Sequence, residues 1–97
     1  MNTKDQYISV LREFVAKYGA EYGIKRLGIF GSVARNEQSE MSDVDVYYEG
    51  AALGLKSLAG LPQALSEYLD VPVDVIREHE NLNPVFRNRI LKEIIYV

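Results

Sequence analysis

Cysteine and tryptophan are absent from this sequence, and histidine occurs once in its 97 residues. Without cysteine the chain can form neither a disulfide framework nor a thiolate nucleophile. No apolar run is long enough to cross a bilayer as a helix. Residues 1–5 (MNTKD) contain no apolar segment of the kind that a signal peptide needs. These absences predict a cytoplasmic protein that does not use the membrane.

A basic surplus is also missing, because eleven lysines and arginines stand against fourteen aspartates and glutamates, for a net charge of −3. Broad binding to a nucleic-acid backbone usually needs a basic face, so this balance argues against it. A bound nucleotide whose charge is neutralised by metal remains compatible with it. The length and the 47% apolar fraction predict one small domain over residues 1–97 with a thin core, which a homo- or hetero-oligomer could support.

Along the chain, the spacing of apolar residues alternates between the period of a helix and that of a strand. The predicted helices cover 3–18, 55–69 and 83–93, with a short helical turn at 33–35, and the predicted strands cover 26–30, 44–48 and 71–76. Gly60 and Pro62 predict a break in the middle helix, while residues 94–97 fit either a strand or a tail. The order α-β-α-β-α-β-α is typical of a small α/β sheet with helices packed on it.

Two aspartates, Asp43 and Asp45, stand at the mouth of the second predicted strand. Side chains two residues apart in a strand point the same way, so both carboxylates would converge on one spot. Each would raise the pKa of the other, and a bound Mg²⁺, which takes hard oxygen ligands, would remove that cost. The pattern therefore predicts a metal site, although Ser42 and Asp43 taken alone fit a turn and a cap better.

A third aspartate, Asp74, interrupts the apolar run 71–76. A charged residue in such a run needs a partner, because its desolvation is costly. If this strand lies beside the strand at 44–48, Asp74 faces the same spot, and three carboxylates could hold two ions for phosphoryl or nucleotidyl transfer. The alternative is that Asp74 pairs with a buried arginine. Pro72 favours the start of this strand, or an edge position for it, over the middle of a ladder.

The corner Gly31-Ser32 follows the first predicted strand. Glycine lets the backbone turn and lets a phosphate approach closely, and the following turn would point free N–H groups at it. Ser32 offers a hydroxyl, and Arg35 could clamp a triphosphate or brace the loop that carries Asp43. Alternatively Ser32 is an ordinary helix N-cap and Arg35 a solvated helix residue. In this order and spacing, the whole set favours the metal-site interpretation.

The stretch GSVARN…SDVDV resembles the Gly-Ser-x-Ala-Arg-Gly…Ser-Asp-x-Asp-hydrophobic signature of the nucleotidyltransferase superfamily that includes DNA polymerase beta. The short length, the leading helix and the segment VDVI are similar to the minimal nucleotidyltransferases, over about Leu11 to Val97. This resemblance implies a polymerase-beta-like core, with a small mixed β-sheet flanked by helices. One departure is Asn36 in place of the usual glycine, and asparagine tolerates left-handed backbone angles better than most residues.

The same resemblance assigns roles to the candidate residues. It implies that Asp43, Asp45 and Asp74 bind Mg²⁺, as two ions, and that Asp74 also activates an acceptor hydroxyl. It implies that Gly31 and Ser32, with Arg35 beside them, hold the triphosphate of ATP. All three acids are present, so the chain does not look like an inactive homologue.

Many minimal nucleotidyltransferases are antitoxins of two-protein modules, of the MntA type, and their partners are HEPN-domain ribonucleases encoded next door. The resemblance therefore implies a protein adenylyltransferase that moves AMP from ATP to a tyrosine of a HEPN toxin. One alternative is an antitoxin that binds nucleotide without turnover and masks its partner. Another is transfer to a small molecule, which larger members perform with an added helical domain that 97 residues do not provide.

Several other residues carry weaker hypotheses. Tyr47 shares a strand face with Asp45 and could contact the nucleotide, or it could simply pack in the core. Arg87, Arg89 and Lys92 make the last helix basic, and a solvated face is a better interpretation than a triphosphate or acidic partner. The single histidine, His79, lies between two glutamates, which predicts an exposed loop and no catalytic role.

Overall fold

The computed structural model describes residues 3–37, 43–50 and 55–97 as helices packed on both faces of one mixed sheet. The helices are α1 (Lys4–Tyr18), α2 (Gly31–Ala34), α3 (Leu55–Leu69) and α4 (Pro84–Glu93). The strands are β1 (Ile24–Phe30), β2 (Val44–Gly50), β3 (Val73–Arg77) and β4 (Ile95–Tyr96). Ser42, most of the loop predicted before it and the linker predicted at Gly54 lie outside the described residues.

The strand order is β3-β2-β1-β4. Strand β1 runs antiparallel to both β2 and β4, whereas β2 and β3 are parallel. The predicted class, a small mixed sheet flanked by helices, is therefore confirmed. Residues 94–97 contribute a strand, and Pro72 directly precedes the edge strand β3, where its carbonyl accepts a hydrogen bond from the Val44 N–H at 3.0 Å. A proline at that position removes no ladder donor.

Helix α1 begins at the predicted cap. The Gln6 N–H donates to Thr3 Oγ1 at 3.2 Å and the Thr3 N–H donates to Gln6 Oε1 at 2.7 Å, which satisfies two otherwise free backbone donors. Helix α4 begins equally cleanly, because Asn83 Oδ1 accepts from the next two free amides and Pro84 occupies the first helical position. Both predicted starts are confirmed.

The predicted break in the middle helix is wrong, since α3 runs unbroken through Gly60 and Pro62. Proline in a helix interior costs about 3 kcal/mol because it removes an N–H and crowds the preceding turn. The same helix fully buries Leu61, Leu65 and Leu69, and each buried leucine contributes about 1.5–3 kcal/mol. Burial of this stripe outweighs the local preference of the two breakers.

The two faces of the sheet differ, and this difference places the candidate site. On β2, Val44, Val46 and Tyr48 point into the main core beneath α1 and α3. The alternate residues Asp45 and Tyr47 point to the other face, where a smaller apolar cluster joins Phe30, Tyr47 and Ile90 under α4. Phe30 and Ile90 of this cluster also line a cavity at the end of the sheet nearest α2. Within the described residues, no helix is long and apolar enough to cross a membrane.

Candidate active site

A cavity of about 520 Å³ opens on the α4 face of the sheet, where β1 passes into α2. Both apolar and polar residues line it. The polar side chains that line it are Ser32, Arg35, Asp45, Asp74, Arg89 and Glu93. We call this the aspartate cavity. It contains five of the six residues that the sequence assigned to metal and triphosphate, counting the backbone of Gly31, and leaves Asp43 outside its wall.

Asp45 and Asp74 are brought together by the parallel pairing of β2 and β3, in which they are direct register partners. Asp45 is half-buried and Asp74 is exposed. Burial raises the pKa of the Asp45 carboxyl above its ordinary value of 3.8, and the nearby charges of Asp74 and then Asp43 raise this pKa further. The negative charge concentrated here is therefore unfavourable in the free protein.

Asp43 directly precedes β2 and is exposed. Its charge reaches Asp45, yet its side chain does not form part of the cavity wall. Over residues 3–37, 43–50 and 55–97, no three acidic, histidine or cysteine side chains are gathered closely enough to hold a metal ion as they stand. The structure thus pairs Asp45 with Asp74 and places Asp43 beside them, and the role of the triad stays a prediction.

Gly31 forms the corner between β1 and α2 with a φ of +77°. A Cβ atom here would collide with Oδ2 of Asp45, so both the backbone angle and the space require glycine. The Asp45 carboxylate therefore lies directly against the corner. The predicted left-handed turn at Asn36 is also present, with a φ of 58°.

Ser32 lies inside the first turn of α2, because the helix begins at Gly31 and its N-cap is Phe30. The alternative of Ser32 as an ordinary N-cap is therefore wrong. Arg35 follows the helix and is not a freely solvated residue either. Its Nε donates to Glu37 Oε2 at 2.9 Å, and its Nη1 donates to Glu93 Oε2 at 2.6 Å. These bonds, the one to Glu37 first, raise the pKa of Arg35.

Glu93, at the end of α4, is a cavity residue that the sequence analysis did not identify. Its Oε1 accepts a hydrogen bond from the Gly31 N–H at 3.1 Å, while its Oε2 accepts from Arg35. Arg35 chiefly, and then the Gly31 amide, lower the pKa of the Glu93 carboxyl. Local sequence gives no signal for this contact, because it joins residues about sixty positions apart. Arg89 is exposed, as predicted, but it also lines the cavity.

A second charged group lies further along the same face, and we call Tyr47, Glu78 and Arg87 the Glu78 cluster. Arg87 donates to both carboxylate oxygens of Glu78, at 2.6 and 2.9 Å, and the Tyr47 hydroxyl donates to Glu78 Oε1 at 2.8 Å. Arg87 is the main cause of the lowered pKa of Glu78. Tyr47 is 1% exposed, which favours packing over nucleotide contact, and Arg87 is not simply solvated. His79 is exposed, as predicted.

The aspartate residues fit a divalent cation on chemical grounds. They offer only hard carboxylate oxygens, and a cation would relieve the repulsion that raises the Asp45 pKa. Because Gly31 has no side chain of its own, a ligand can approach the backbone at the glycine corner closely. An arrangement of this kind can bind a metal-bound polyphosphate next to a carboxylate base.

A family model described as a nucleotidyltransferase domain matches residues 8–97. The chain belongs to the nucleotidyltransferase family. The prediction of a nucleotidyltransferase enzyme is confirmed, and so is the resemblance of the chain to the minimal nucleotidyltransferases. MJ0126 of Methanocaldococcus jannaschii, provisionally named a protein adenylyltransferase, is 36% identical over 100% of both chains. Protein adenylyltransferase MntA of Thermococcus cleftensis is 28% identical over 100% of this nucleotidyltransferase and 98% of MntA.

Two solved structures show the same fold. One, provisionally described as a minimal nucleotidyltransferase, matches with a TM-score of 0.79 at 35% identity, covering 97% of this nucleotidyltransferase and 95% of the other chain. A chain of the complex between the tri-AMPylated Shewanella oneidensis HEPN toxin and its MNT antitoxin matches with a TM-score of 0.58 at 20% identity, covering 96% and 66%. At this lower identity the likeness concerns the fold alone.

Proposed function

We propose that this nucleotidyltransferase is a cytoplasmic Mg²⁺-dependent antitoxin that transfers AMP from ATP to a tyrosine hydroxyl of a HEPN-domain toxin. The observation that carries the proposal is the register pairing of Asp45 with Asp74 in a cavity that the Gly31 corner also lines. A stability role alone would favour neutralising these aspartates, as the Glu78 cluster neutralises its glutamate.

The proposed chemistry is one displacement at phosphorus. The acceptor oxygen forms a bond to the α-phosphorus of ATP, the bond from that phosphorus to the bridging oxygen breaks, and pyrophosphate leaves. Asp43, Asp45 and Asp74 are the residues that would hold Mg²⁺, which would supply charge stabilisation for the attacking and leaving oxygens. Asp74, exposed at the edge strand, would accept the proton of the acceptor hydroxyl. Ser32, Arg35 and the Gly31 amide would contact the triphosphate.

The choice of a protein as acceptor is supported by relatives, whereas the choice of tyrosine follows from the resemblance to the minimal nucleotidyltransferases. The relatives reported above are named for adenylylation of protein, and one fold neighbour is an MNT antitoxin in complex with an AMPylated HEPN toxin. An exposed base on an edge strand also suits an acceptor that arrives from another molecule, and Asp74 is exposed on the edge strand β3. A protein partner supplies such a hydroxyl.

The test incubates the purified chain with the protein encoded beside it, labelled ATP and Mg²⁺. We expect label on the partner, carried by tyrosine, and loss of that label when Mg²⁺ is chelated. An Asp43→Asn/Asp45→Asn double variant should not transfer label. Asp70→Asn is the matched control, because Asp70 is exposed, lies outside the cavity, and has a φ of 59° that asparagine also tolerates. Equal labelling by the double variant would refute the assigned site.

A second candidate function is masking without catalysis. It is favoured by one contact: Glu93 already occupies the Gly31 amide and the Arg35 guanidinium, which are groups that the triphosphate would use. Growth of cells that express the toxin separates the two functions. If the Asp43→Asn/Asp45→Asn variant rescues growth as well as the unchanged chain does, neutralisation occurs by masking. If only the unchanged chain rescues growth, neutralisation requires the transfer.

A further inference from the structure

The carboxylate of Glu93 is placed as a bound anion would be. One oxygen accepts from a backbone amide, that of Gly31 at 3.1 Å, and the other accepts from a guanidinium, that of Arg35 at 2.6 Å. Backbone amides and arginines are the donors that proteins use to bind phosphate oxygens. Glu93 therefore satisfies, from within the chain, the same donors that a polyphosphate in the aspartate cavity would need.

The charges around the cavity indicate that Glu93 competes with a bound anion and does not help to bind it. Asp45, Asp74 and Glu93 carry three negative charges, against the two positive charges of Arg35 and Arg89. The charge of Glu93 is itself among the causes that raise the Asp45 pKa.

We infer that Glu93 is an internal competitor for the phosphate groups of the nucleotide, which must displace its carboxylate from Gly31 and Arg35 in order to bind. The inference rests on the proposed function, in that the nucleotide is taken to enter this cavity. Helix α4 thus sets the affinity of the site from its last turn. When the cavity is empty, Glu93 accepts hydrogen bonds from the groups that would otherwise donate to phosphate. When a polyphosphate enters, the Glu93 side chain rotates away from them into solvent.

The partial exposure of the pair makes such displacement feasible. The side chain of Glu93 is 24% exposed and that of Arg35 is 44% exposed, so water can solvate both groups after they separate. Ion pairs in such positions are weak, and a polyphosphate carries several charges with which to replace one carboxylate. Arg35 also pairs with Glu37 through its Nε, an atom that Glu93 does not contact.

The experiment measures binding of inorganic tripolyphosphate, without metal, by titration calorimetry. Glu93→Gln retains an oxygen acceptor for the Gly31 N–H but loses the charge that attracts Arg35. We expect this variant to bind tripolyphosphate about threefold to tenfold more tightly than the unchanged chain does, the size expected for removal of one partly exposed charge pair. Glu93→Ala, which removes the competing group entirely, should also bind more tightly.

Glu37→Gln is the matched control. It removes the other carboxylate partner of Arg35, at a comparable distance, but Glu37 does not contact Gly31 and does not line the cavity. We expect its affinity to stay within about twofold of the unchanged chain, because only screened surface charge is lost. An equal gain in Glu37→Gln and Glu93→Gln would overturn the inference, since general charge removal would explain it.

Unchanged or weaker tripolyphosphate binding by Glu93→Gln would also overturn it, and so would unfolding of both Glu93 variants, since Glu93 would then be structural. A failed proposed function has a different signature. In that case the unchanged chain transfers no label, whereas the gain in tripolyphosphate affinity on loss of Glu93 persists. In transfer assays, Glu93→Gln should lower KM for ATP without raising kcat, because the competitor acts on binding only.

Discussion

The aspartate cavity and the Glu78 cluster lie on the same face of one sheet, under the same helix, and treat their carboxylates in opposite ways. In the Glu78 cluster, α4 supplies Arg87, and the pKa of the glutamate falls. In the aspartate cavity, α4 supplies another acid, Glu93, and the pKa of Asp45 rises because of its burial and its neighbours. Helix α4 therefore neutralises the charge of Glu78 but adds a negative charge near Asp45.

This difference separates a structural site from a functional one. The Glu78 cluster is satisfied within the chain, so it stabilises the attachment of α4 to the sheet. The aspartate cavity keeps an unfavourable charge on Asp45, which the nearby charge of Arg35 offsets only in part. Unfavourable electrostatics that persist next to a cleft mark a candidate functional site, because selection for stability alone would remove them.

The largest effect is expected when Asp45, the half-buried carboxylate of the aspartate cavity, is replaced. In the transfer assay, Asp45→Asn should lose at least about a thousandfold in rate, because a proposed Mg²⁺ ligand is lost. The same variant should unfold at a higher temperature than the unchanged chain at neutral pH, by about 2–4 °C, because the unfavourable charge is gone. Circular dichroism on heating measures this, and a less stable Asp45→Asn would contradict the account of the cavity.

The next effect concerns the glycine corner. Gly31→Ala should lose about 1–3 kcal/mol of unfolding free energy, because its φ is positive and its Cβ would meet the Asp45 carboxylate. Gly60→Ala is the matched control, since nothing lies within 4 Å of its added Cβ in α3. It should gain about 0.5–1 kcal/mol from better helix propensity. Urea denaturation compares the two, and destabilisation of similar size at both glycines would remove the special status of the corner.

The pH dependence of stability sharpens the comparison further. A lowered pKa at Glu78 means that its contribution is present above its ordinary value of 4.5 and is lost as pH falls through the lowered value. Glu78→Gln should therefore be less stable than the unchanged chain at neutral pH, by about 1–2 kcal/mol, and should converge with it in acid. The raised pKa of Asp45 gives the opposite sign, so Asp45→Asn should be more stable at neutral pH and also converge in acid.

The smallest effect compares adjacent tyrosines of β2, both 1% exposed. Tyr47→Phe removes the hydroxyl that donates to Glu78 and should cost about 0.5–1.5 kcal/mol. The Tyr48 hydroxyl is buried with no hydrogen-bond partner among the residues that the structure describes. Tyr48→Phe should therefore be neutral or stabilising, since no bond is lost. A larger loss at Tyr48 than at Tyr47, measured by urea denaturation, would show that the cluster contributes little.

The sequence predicted most of the elements, because caps and periodicity act locally. Thr3, Asn83 and Pro84 are residue types that favour the first positions of a helix, and they do so here. The alternation of polar and apolar side chains around Asp45 likewise distinguishes the two faces of β2. The break at Gly60 and Pro62 failed because burial of leucines on α3, a tertiary effect, exceeded the local cost. Local propensity is a weak prior whenever a stripe of large apolar residues can reach a core.

What the sequence determined by itself was the set of chemical groups: three aspartates, a glycine corner with Ser32 and Arg35, and the order of the elements. These follow from motif spacing and local backbone preference. Only the tertiary structure decided which groups meet. Parallel pairing of β2 with β3 put Asp74 opposite Asp45, and the packing of α4 brought Arg87 to Glu78 and Glu93 to Arg35. Those contacts join residues distant in the chain, and their partners depend on which strands pair and on where α4 packs.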